Sequence, residues 1–192
     1  MAEPTDEELV RRFVSGERGA FDVLVARHER RVYNLAYRML GRRDDALDAA
    51  QETFLACYRK VHGFRGGSAF TTWLHRVALN VCYDALRRRS REDPARDEDR
   101  VEPPAVADPA DASATAVDVR RALLEVPEDF RAVLVLHDVQ GVPYEEIAAA
   151  VGVPVGTVKS RLHRGRVALA RALRGERPDP SPPSNPRERM SG

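Results

Sequence analysis

The basic side chains between residues 155 and 174 are spaced for contact with a polyanion. This stretch contains six Lys or Arg residues and no Asp or Glu. Val158, Leu162, Gly165, Leu169 and Leu173 recur at steps of three or four residues, the period of one buried helix face. The opposite face then carries polar residues, whose early members can reach base edges in the DNA major groove. The candidates for these contacts are Gly156, Thr157, Lys159, Ser160, His163, Arg164 and Arg171.

A shorter helix is predicted directly before this basic one. Pro143 suits the first position of a helix, and Ile147 and Val151 belong to one apolar stripe. Gly152 supplies the backbone freedom for a three-residue turn that Pro154 closes. Two helices joined by so tight a turn predict a helix-turn-helix. The alternative for the same residues is an amphipathic surface helix with a solvated basic face.

A second group of residues suited to nucleic acid lies between residues 63 and 80. Here a glycine-rich loop runs into a helix for which Ser68 is the predicted N-cap. Phe64, Phe70 and Trp73 fall close together and alternate with arginines, an arrangement that can hold unpaired bases by stacking. Phe70 and Trp73 fit ordinary core packing equally well, whereas Phe64 in the loop is harder to explain as core.

Charge is distributed in blocks along the chain of 192 residues, although the formal net charge is only +1. Residues 1–91 carry 17 basic and 12 acidic side chains, residues 92–118 carry 2 and 9, and residues 119–175 carry 9 and 6. Two basic blocks therefore flank an acidic strip. This asymmetry indicates two separate polyanion-binding modules. The hydrophobic content of 43% is enough for a core and excludes disorder throughout.

The sequence predicts a cytoplasmic protein without membrane insertion. It has no run of eighteen apolar residues, and its first eight residues are acidic, unlike a secretory signal. Cys57 and Cys82 lie within apolar helical patterns and form no C-x-x-C pair, so they are predicted to pack in the core. His62 and His75 share no short metal-binding spacing with them. We therefore expect no metal and no cofactor.

Helical periodicity and breakers predict an all-α fold of two small helical domains joined by a flexible linker. The first domain covers residues 1–91. Residues 92–116 are rich in Pro, Ala and Asp and form the predicted linker. The second domain, residues 117–175, ends in the helix-turn-helix, and the proline-rich tail 176–192 is predicted to be disordered.

Three stretches of the chain resemble the extracytoplasmic-function (ECF, group 4) sigma factors of bacterial RNA polymerase. Residues 46–54 (ALDAAQETF) resemble region 2.2 of that family, and residues 64–80 (FRGGSAFTTWLHRVALN) resemble regions 2.3 and 2.4. Residues 144–164, from YEEIA to GTVKSRLHR, resemble region 4.2. The additional N-terminal region and third domain of the larger housekeeping sigma factors have no counterpart here.

The resemblance implies a protein that recruits core RNA polymerase to promoters. The helix-turn-helix domain would recognise an upstream (minus-thirty-five) element and contact the β flap, and the N-terminal domain would melt a downstream (minus-ten) element. The family also implies an anti-sigma factor as a restraining partner. The implied contacts with the β′ clamp helices are Asp45, Asp48, Gln51, Glu52 and Phe54. The implied downstream-element residues are Phe64, Arg65, Ser68, Phe70, Trp73, Arg76 and Asn80. Gly67 replaces an acidic residue of many relatives, so the downstream base is left open.

Two other classes of function fit parts of the sequence. A helix-turn-helix transcriptional regulator would bind duplex operators as a dimer without core polymerase. The aromatic loop and the polycationic helix end that follows it speak against this alternative, because a sensor domain needs neither. A DNA-processing enzyme would need clustered carboxylates or a His, Cys and Glu constellation, and the sequence has none. We therefore expect no enzymatic activity and no catalytic residue.

Overall fold

The described part of the chain, residues 3–64, 66–92 and 114–176 of a computed structural model, is helical and contains no strand. The predicted all-α fold is confirmed. The N-terminal module consists of α1 (Asp6–Val14), α2 (Gly19–Leu40), α3 (Arg43–Lys60) and α4 (Phe70–Glu92). The C-terminal module consists of α5 (Ala114–Glu125), α6 (Glu128–Leu134), α7 (Tyr144–Val151) and α8 (Val155–Leu173). A 3₁₀ turn follows α3 at Val61–Gly63, and a π-helical segment follows α6 at Val135–Val139.

Local signals account for most helix ends of the N-terminal module. Thr5 caps α1, since its Oγ1 accepts from the Glu8 backbone N–H at 3.2 Å. Gly41 ends α2 in the left-handed conformation with φ of 78°. Two aspartates, Asp44 and Asp45, occupy the first turn of α3, where negative charge is favourable. The four helices enclose a common apolar core.

The start of α4 differs from the prediction, and Ser68 is not its N-cap. The helix begins at Phe70, one residue later than an N-cap at Ser68 would place it. The Phe70 backbone N–H instead donates to Oε1 of Glu7 on α1 at 3.2 Å. A carboxylate from another helix therefore satisfies this terminal N–H, and no pattern within the loop could have indicated it.

The C-terminal module contains the predicted helix-turn-helix. Helix α7 begins at Tyr144, so Pro143 occupies the capping position and not the first helical position. Gly152 follows α7 with φ of 73°, and Pro154 precedes α8. Helix α5 begins at Ala114, three residues before the predicted domain boundary. The rest of the predicted linker, residues 93–113, lies outside the described residues, as does the tail after residue 176.

The close contact between α6 and α8 depends on Gly165. A Cβ at this position would lie 2.9 Å from Cγ of Leu134 and 3.3 Å from Cβ of Phe130. Gly165→Val is expected to lower the free energy of unfolding by about 1–3 kcal/mol through overpacking. Urea unfolding would measure the change. Gly19→Val is the control, because nothing lies within 4 Å of that position. Equal losses for the two variants would contradict the role of the α6–α8 contact.

The two modules pack against each other through α2 and α4. The Arg131 guanidinium donates to the carbonyl of Met39 in the last turn of α2. Nη1 of Arg120 donates to the Tyr37 hydroxyl at 2.6 Å, and its guanidinium carbon lies 5.4 Å from the centre of that ring. Both arginines are buried. The apolar core is continuous across this contact between the modules.

His75 on α4 is buried and couples stability to pH. Burial, with repulsion from Arg31 and His28, lowers its pKa from 6.5 to about 4. Because the folded-state pKa lies below the unfolded one, the folded chain binds fewer protons between these values. Stability is therefore expected to fall by roughly 3 kcal/mol as the pH decreases from 6.5 to 4, with no contribution above that window.

Denaturant unfolding at several pH values would measure this dependence. His75→Leu is expected to have a smaller decrease in stability over the same interval, because it lacks the titrating ring. The difference between the two proteins isolates His75 from the carboxylates that also titrate there. Parallel curves for parent and variant would contradict the assignment.

Candidate nucleic-acid interface

The predicted upstream-element residues share one helix, α8. Gly156, Lys159, Ser160, His163, Arg164 and Arg171 are exposed, and Thr157 is partly exposed. Behind them, Val158 and Leu162 are buried against the rest of the module. The face that the periodicity assigned to solvent is therefore open to a ligand.

Ion pairs divide the six basic residues of α8 and its C-cap into two groups. Arg161 pairs with Asp129 at 2.7 Å, Arg166 with Asp138 at 2.6 Å, and Arg174 with Glu176 at 2.7 Å. The hydrogen bond from Arg166 lowers the pKa of Asp138, so this pair is ionised at neutral pH. The other three cations form no ion pair within the described ranges: Lys159, Arg164 and Arg171. These three belong to the predicted upstream-element set.

The length of α8 limits which of its residues can enter a groove. At 1.5 Å per residue, Gly156 and Arg171 are separated by about 22 Å along the helix. The major groove is about 12 Å wide. The first turns of α8 can therefore lie near base edges, while Arg171 is placed for a phosphate. Nζ of Lys159 lies 5.7 Å from the centre of the Tyr144 ring, at the start of α7.

The structure brings the three predicted aromatic residues of the downstream set together. The ring of Phe64 lies 6.0 Å from that of Phe70 and 5.5 Å from that of Trp73. Phe64 and Trp73 are partly exposed, whereas Phe70 is only 1% exposed. The Phe70 ring belongs to the core and presents no face to solvent. It packs against the rings of Phe64 and Trp73 from the core side.

The remaining downstream candidates are dispersed. Ser68 is partly exposed, and Arg65 lies outside the described residues. Arg76 is exposed, and its guanidinium donates to the backbone carbonyl of Ala149 on α7. Asn80 is exposed on α4 but faces a groove between α3 and α4, away from the aromatic loop.

This α3–α4 groove holds most of the predicted core-polymerase residues. Its volume is about 920 Å³. Four predicted residues line it, namely Asp45, Asp48, Gln51 and Glu52. Phe54 does not line it, because its side chain packs against the core. Leu55, which is 43% exposed, lines the groove and was missed. Its position four residues after Gln51, on the same helix face, was the available signal.

The described residues contain neither a candidate metal site nor a candidate membrane-spanning helix. No group of three or more His, Cys, Asp or Glu in them could hold a metal ion. Cys57 and Cys82 are buried, and burial raises the pKa of each thiol to about 12. None of the described helices is both long and apolar enough to cross a bilayer.

An exposed basic helix in a helix-turn-helix, an aromatic loop, and a groove lined by four acidic and four basic side chains define a two-module DNA-binding protein. The sequence matches the Sigma-70 region 2 family over residues 24–92 and the Sigma-70 region 4 family over residues 116–169. It is therefore a chain with both a region 2 and a region 4 of this kind.

Comparison with similar proteins indicates which class of Sigma-70 protein the chain resembles. The ECF RNA polymerase sigma factor SigM of Mycobacterium tuberculosis is 42% identical over 171 residues, covering 89% of this chain and 86% of SigM. SigE of Mycolicibacterium smegmatis is 44% identical over 155 residues, which cover 78% of this chain but only 60% of SigE. The sigma factor RpoE of Bartonella quintana, solved with the anti-sigma factor NepR, has a TM-score of 0.67 and 29% identity over 82% of this chain and 98% of RpoE.

The chain belongs to the ECF family of RNA polymerase sigma factors. It is thus a sigma factor, a protein that binds core RNA polymerase and directs transcription initiation at specific promoters. The alternative of a dimeric regulator without polymerase binding is not favoured.

Proposed function

We propose that α8 reads the upstream promoter element, that the loop before α4 opens the downstream element, and that the α3–α4 groove holds the β′ clamp helices of core polymerase. The observation that carries the proposal is the division of cations on α8. Acidic side chains of the protein form ion pairs with three of these cations. Lys159, Arg164 and Arg171 on the exposed face form no such pair within the described residues and can bind an external polyanion.

Upstream recognition uses the N-terminal half of α8. Ser160 and Arg164 are exposed one turn apart, so both side chains can reach base edges from one groove position. Arg171, two turns beyond Arg164, contacts phosphate and contributes affinity without sequence preference. Gly156 and Thr157 bring the helix N-terminus close to the DNA backbone, where N–H groups favour phosphate.

Downstream melting uses the aromatic loop. Phe64 and Trp73 are partly exposed and can each offer part of a ring to an extruded base. Stacking on an aromatic side chain contributes about 1–3 kcal/mol per base. Extraction of a base from duplex DNA costs a few kcal/mol, so the loop recovers part of that cost and polymerase contacts supply the rest. No ATP and no catalytic residue are needed.

The α3–α4 groove suits a helical partner with basic and apolar side chains. Asp48 and Glu52 on α3 supply negative charge, and the exposed Leu55 supplies apolar surface. Arg42, Lys60, Arg88 and Arg89 also line the groove, so a basic partner fits along the middle of α3 and not along the whole groove. An aspartate in the groove can form an ion pair with a cation of the partner, and the neighbouring leucine can bury apolar surface against the same partner. The C-terminal module contacts the β flap, and an anti-sigma factor restrains the protein. Because its template is the bacterial chromosome, the protein acts in the cytoplasm.

Transcription from a promoter template by purified core polymerase and this chain tests the proposal. The double variant Asp48→Arg and Gln51→Arg is expected to bind core polymerase at least tenfold more weakly, because like charges then face the basic partner. Asp22→Arg on α2 is the control, since Asp22 is exposed and lies outside the groove. Promoter-independent output from the parent protein, or equal polymerase binding by all three proteins, would overturn the assignment.

A further inference from the structure

We infer that Glu7 on α1 is a positioning residue for strand opening, because it holds the first turn of α4 and with it the aromatic rings that receive an unpaired base. The role of Glu7 rests on the proposed function of the loop before α4. It adds a residue that lies outside residues 24–92, the part of the chain that matches the Sigma-70 region 2 family.

The first turn of α4, Phe70–Trp73, contains no acidic residue of its own. The Phe70 backbone N–H donates to Oε1 of Glu7 on α1 at 3.2 Å. A carboxylate at this place interacts favourably with the positive end of the helix dipole, and a hydrogen bond to a charged acceptor is roughly twice as strong as a neutral one. Glu7 therefore supplies from another helix the acceptor and the negative charge that a local cap would provide.

Asp6, the residue before Glu7, fixes the start of α1 against α2. Its Oδ2 accepts from Nε2 of His28 at 2.7 Å, and its Oδ1 accepts from Nη1 of Arg27 at 2.5 Å. The His28 ring in turn lies 5.7 Å from the ring of Phe70. Two adjacent carboxylates of α1 thus act on Phe70, since Glu7 holds its backbone and Asp6 holds the histidine that packs against its ring.

Phe70 links this contact to the two partly exposed rings. Its ring lies 6.0 Å from that of Phe64 and 5.7 Å from that of Trp73, which belongs to the same helical turn. Between Phe64 and Phe70 the loop has open space beside it, because a Cβ at Gly66 or Gly67 would meet no atom within 4 Å. A binding site tolerates displacements of only about 0.5 Å. Glu7 therefore acts at the end of the loop where the ring positions are set.

Variants that separate the charge of Glu7 from its reach test this role. Glu7→Asp keeps the charge but is about 1.5 Å shorter, so it does not reach the Phe70 N–H. Glu7→Gln keeps the length and an acceptor oxygen. Open-complex formation on linear promoter DNA with core polymerase is expected to fall about fivefold or more for Glu7→Asp and to stay within about twofold of the parent for Glu7→Gln. Permanganate footprinting would measure it, and duplex binding should be equal.

Glu8→Asp is the matched control on the same helix. The Glu8 carboxylate pairs with Arg12 at 2.6 Å and not with α4, so its shortening should leave promoter opening unchanged. Glu7 is exposed, and neither of its variants disturbs the core.

Trp73 supplies a spectroscopic readout, because it is the only tryptophan of the chain. Quenching of its fluorescence by acrylamide in the folded protein is expected to increase for Glu7→Asp, since the first turn of α4 is then no longer held. Glu7→Gln and Glu8→Asp should match the parent. If Glu7 only stabilised the fold, Glu7→Asp would lower the midpoint of urea unfolding and leave quenching in the native protein unchanged, which would overturn the inference.

Comparison with Phe64→Ala separates failure of this role from failure of the proposed function. If Glu7→Asp opens linear promoter DNA as well as the parent while Phe64→Ala does not, the loop works without Glu7 and the inference fails. If Phe64→Ala opens DNA as well as the parent, or the parent opens none, the proposed function of the loop fails first. A loss for Glu7→Asp that Glu7→Gln does not share and that a pre-melted template restores supports the positioning role.

Discussion

Phe64→Ala is expected to reduce open-complex formation on linear promoter DNA strongly while duplex binding and polymerase association stay nearly intact. The Phe64 ring packs on Phe70 and Trp73 and is partly exposed, so alanine removes a stacking face without emptying the core. A loss of about 1–3 kcal/mol of stacking corresponds to roughly a 5- to 150-fold loss of the melted state. Permanganate footprinting of unpaired thymines would measure it.

Two further variants and a second template sharpen this experiment. Phe64→Tyr retains the aromatic face and should melt promoters nearly as well as the parent, whereas Phe64→Leu retains apolar packing and should fail. A template with a pre-melted bubble over the downstream element should restore much of the activity of Phe64→Ala. If Phe64→Ala opens linear DNA as well as the parent does, Phe64 is only a packed loop residue.

Arg164→Ala is expected to weaken binding to the upstream element by about 1–3 kcal/mol while changing binding to scrambled DNA much less. Ser160→Ala should show the same sequence dependence with a smaller loss. Arg171→Ala should weaken binding to all sequences about equally and reduce the salt dependence, because a phosphate contact carries no sequence information. Titrations of cognate and scrambled duplexes at several salt concentrations would separate these effects.

The matched control for these variants is Arg166→Ala on the same helix. Arg166 pairs with Asp138 through two hydrogen bonds of 3.0 and 2.6 Å, so its charge is already neutralised within the protein. Its removal should affect DNA binding less than removal of Arg164. Equal losses on cognate and scrambled DNA for Arg164→Ala would exclude Arg164 from base recognition.

Local interactions allowed much of the fold to be predicted from the sequence. The apolar period predicted a buried side of α8 with five members. Val158, Leu162 and Gly165 are buried, whereas Leu169 is partly exposed and Leu173 is 50% exposed, so the prediction fails at the last turn of the helix. Gly152 and Pro154 predicted the turn, since a left-handed residue and a fixed proline φ act within a few residues. The helix period, the residue types of the turn and the basic exposed face all depend on residues that are close in sequence. One amino-acid sequence is therefore enough to identify them.

Contacts between distant residues were decided only by the tertiary structure. The sequence shows six basic residues on α8 and at its C-terminal end. Only the fold shows that Asp129 forms an ion pair with Arg161 and that Asp138 forms one with Arg166. It likewise places Phe70 in the core and makes Glu7 the partner of its backbone N–H. These outcomes depend on which helices pack together. No local sequence pattern indicates that packing, because the side chains that meet are far apart in the sequence. The contact of α7 with α4 belongs to the same class, because neither helix alone shows that the other covers it.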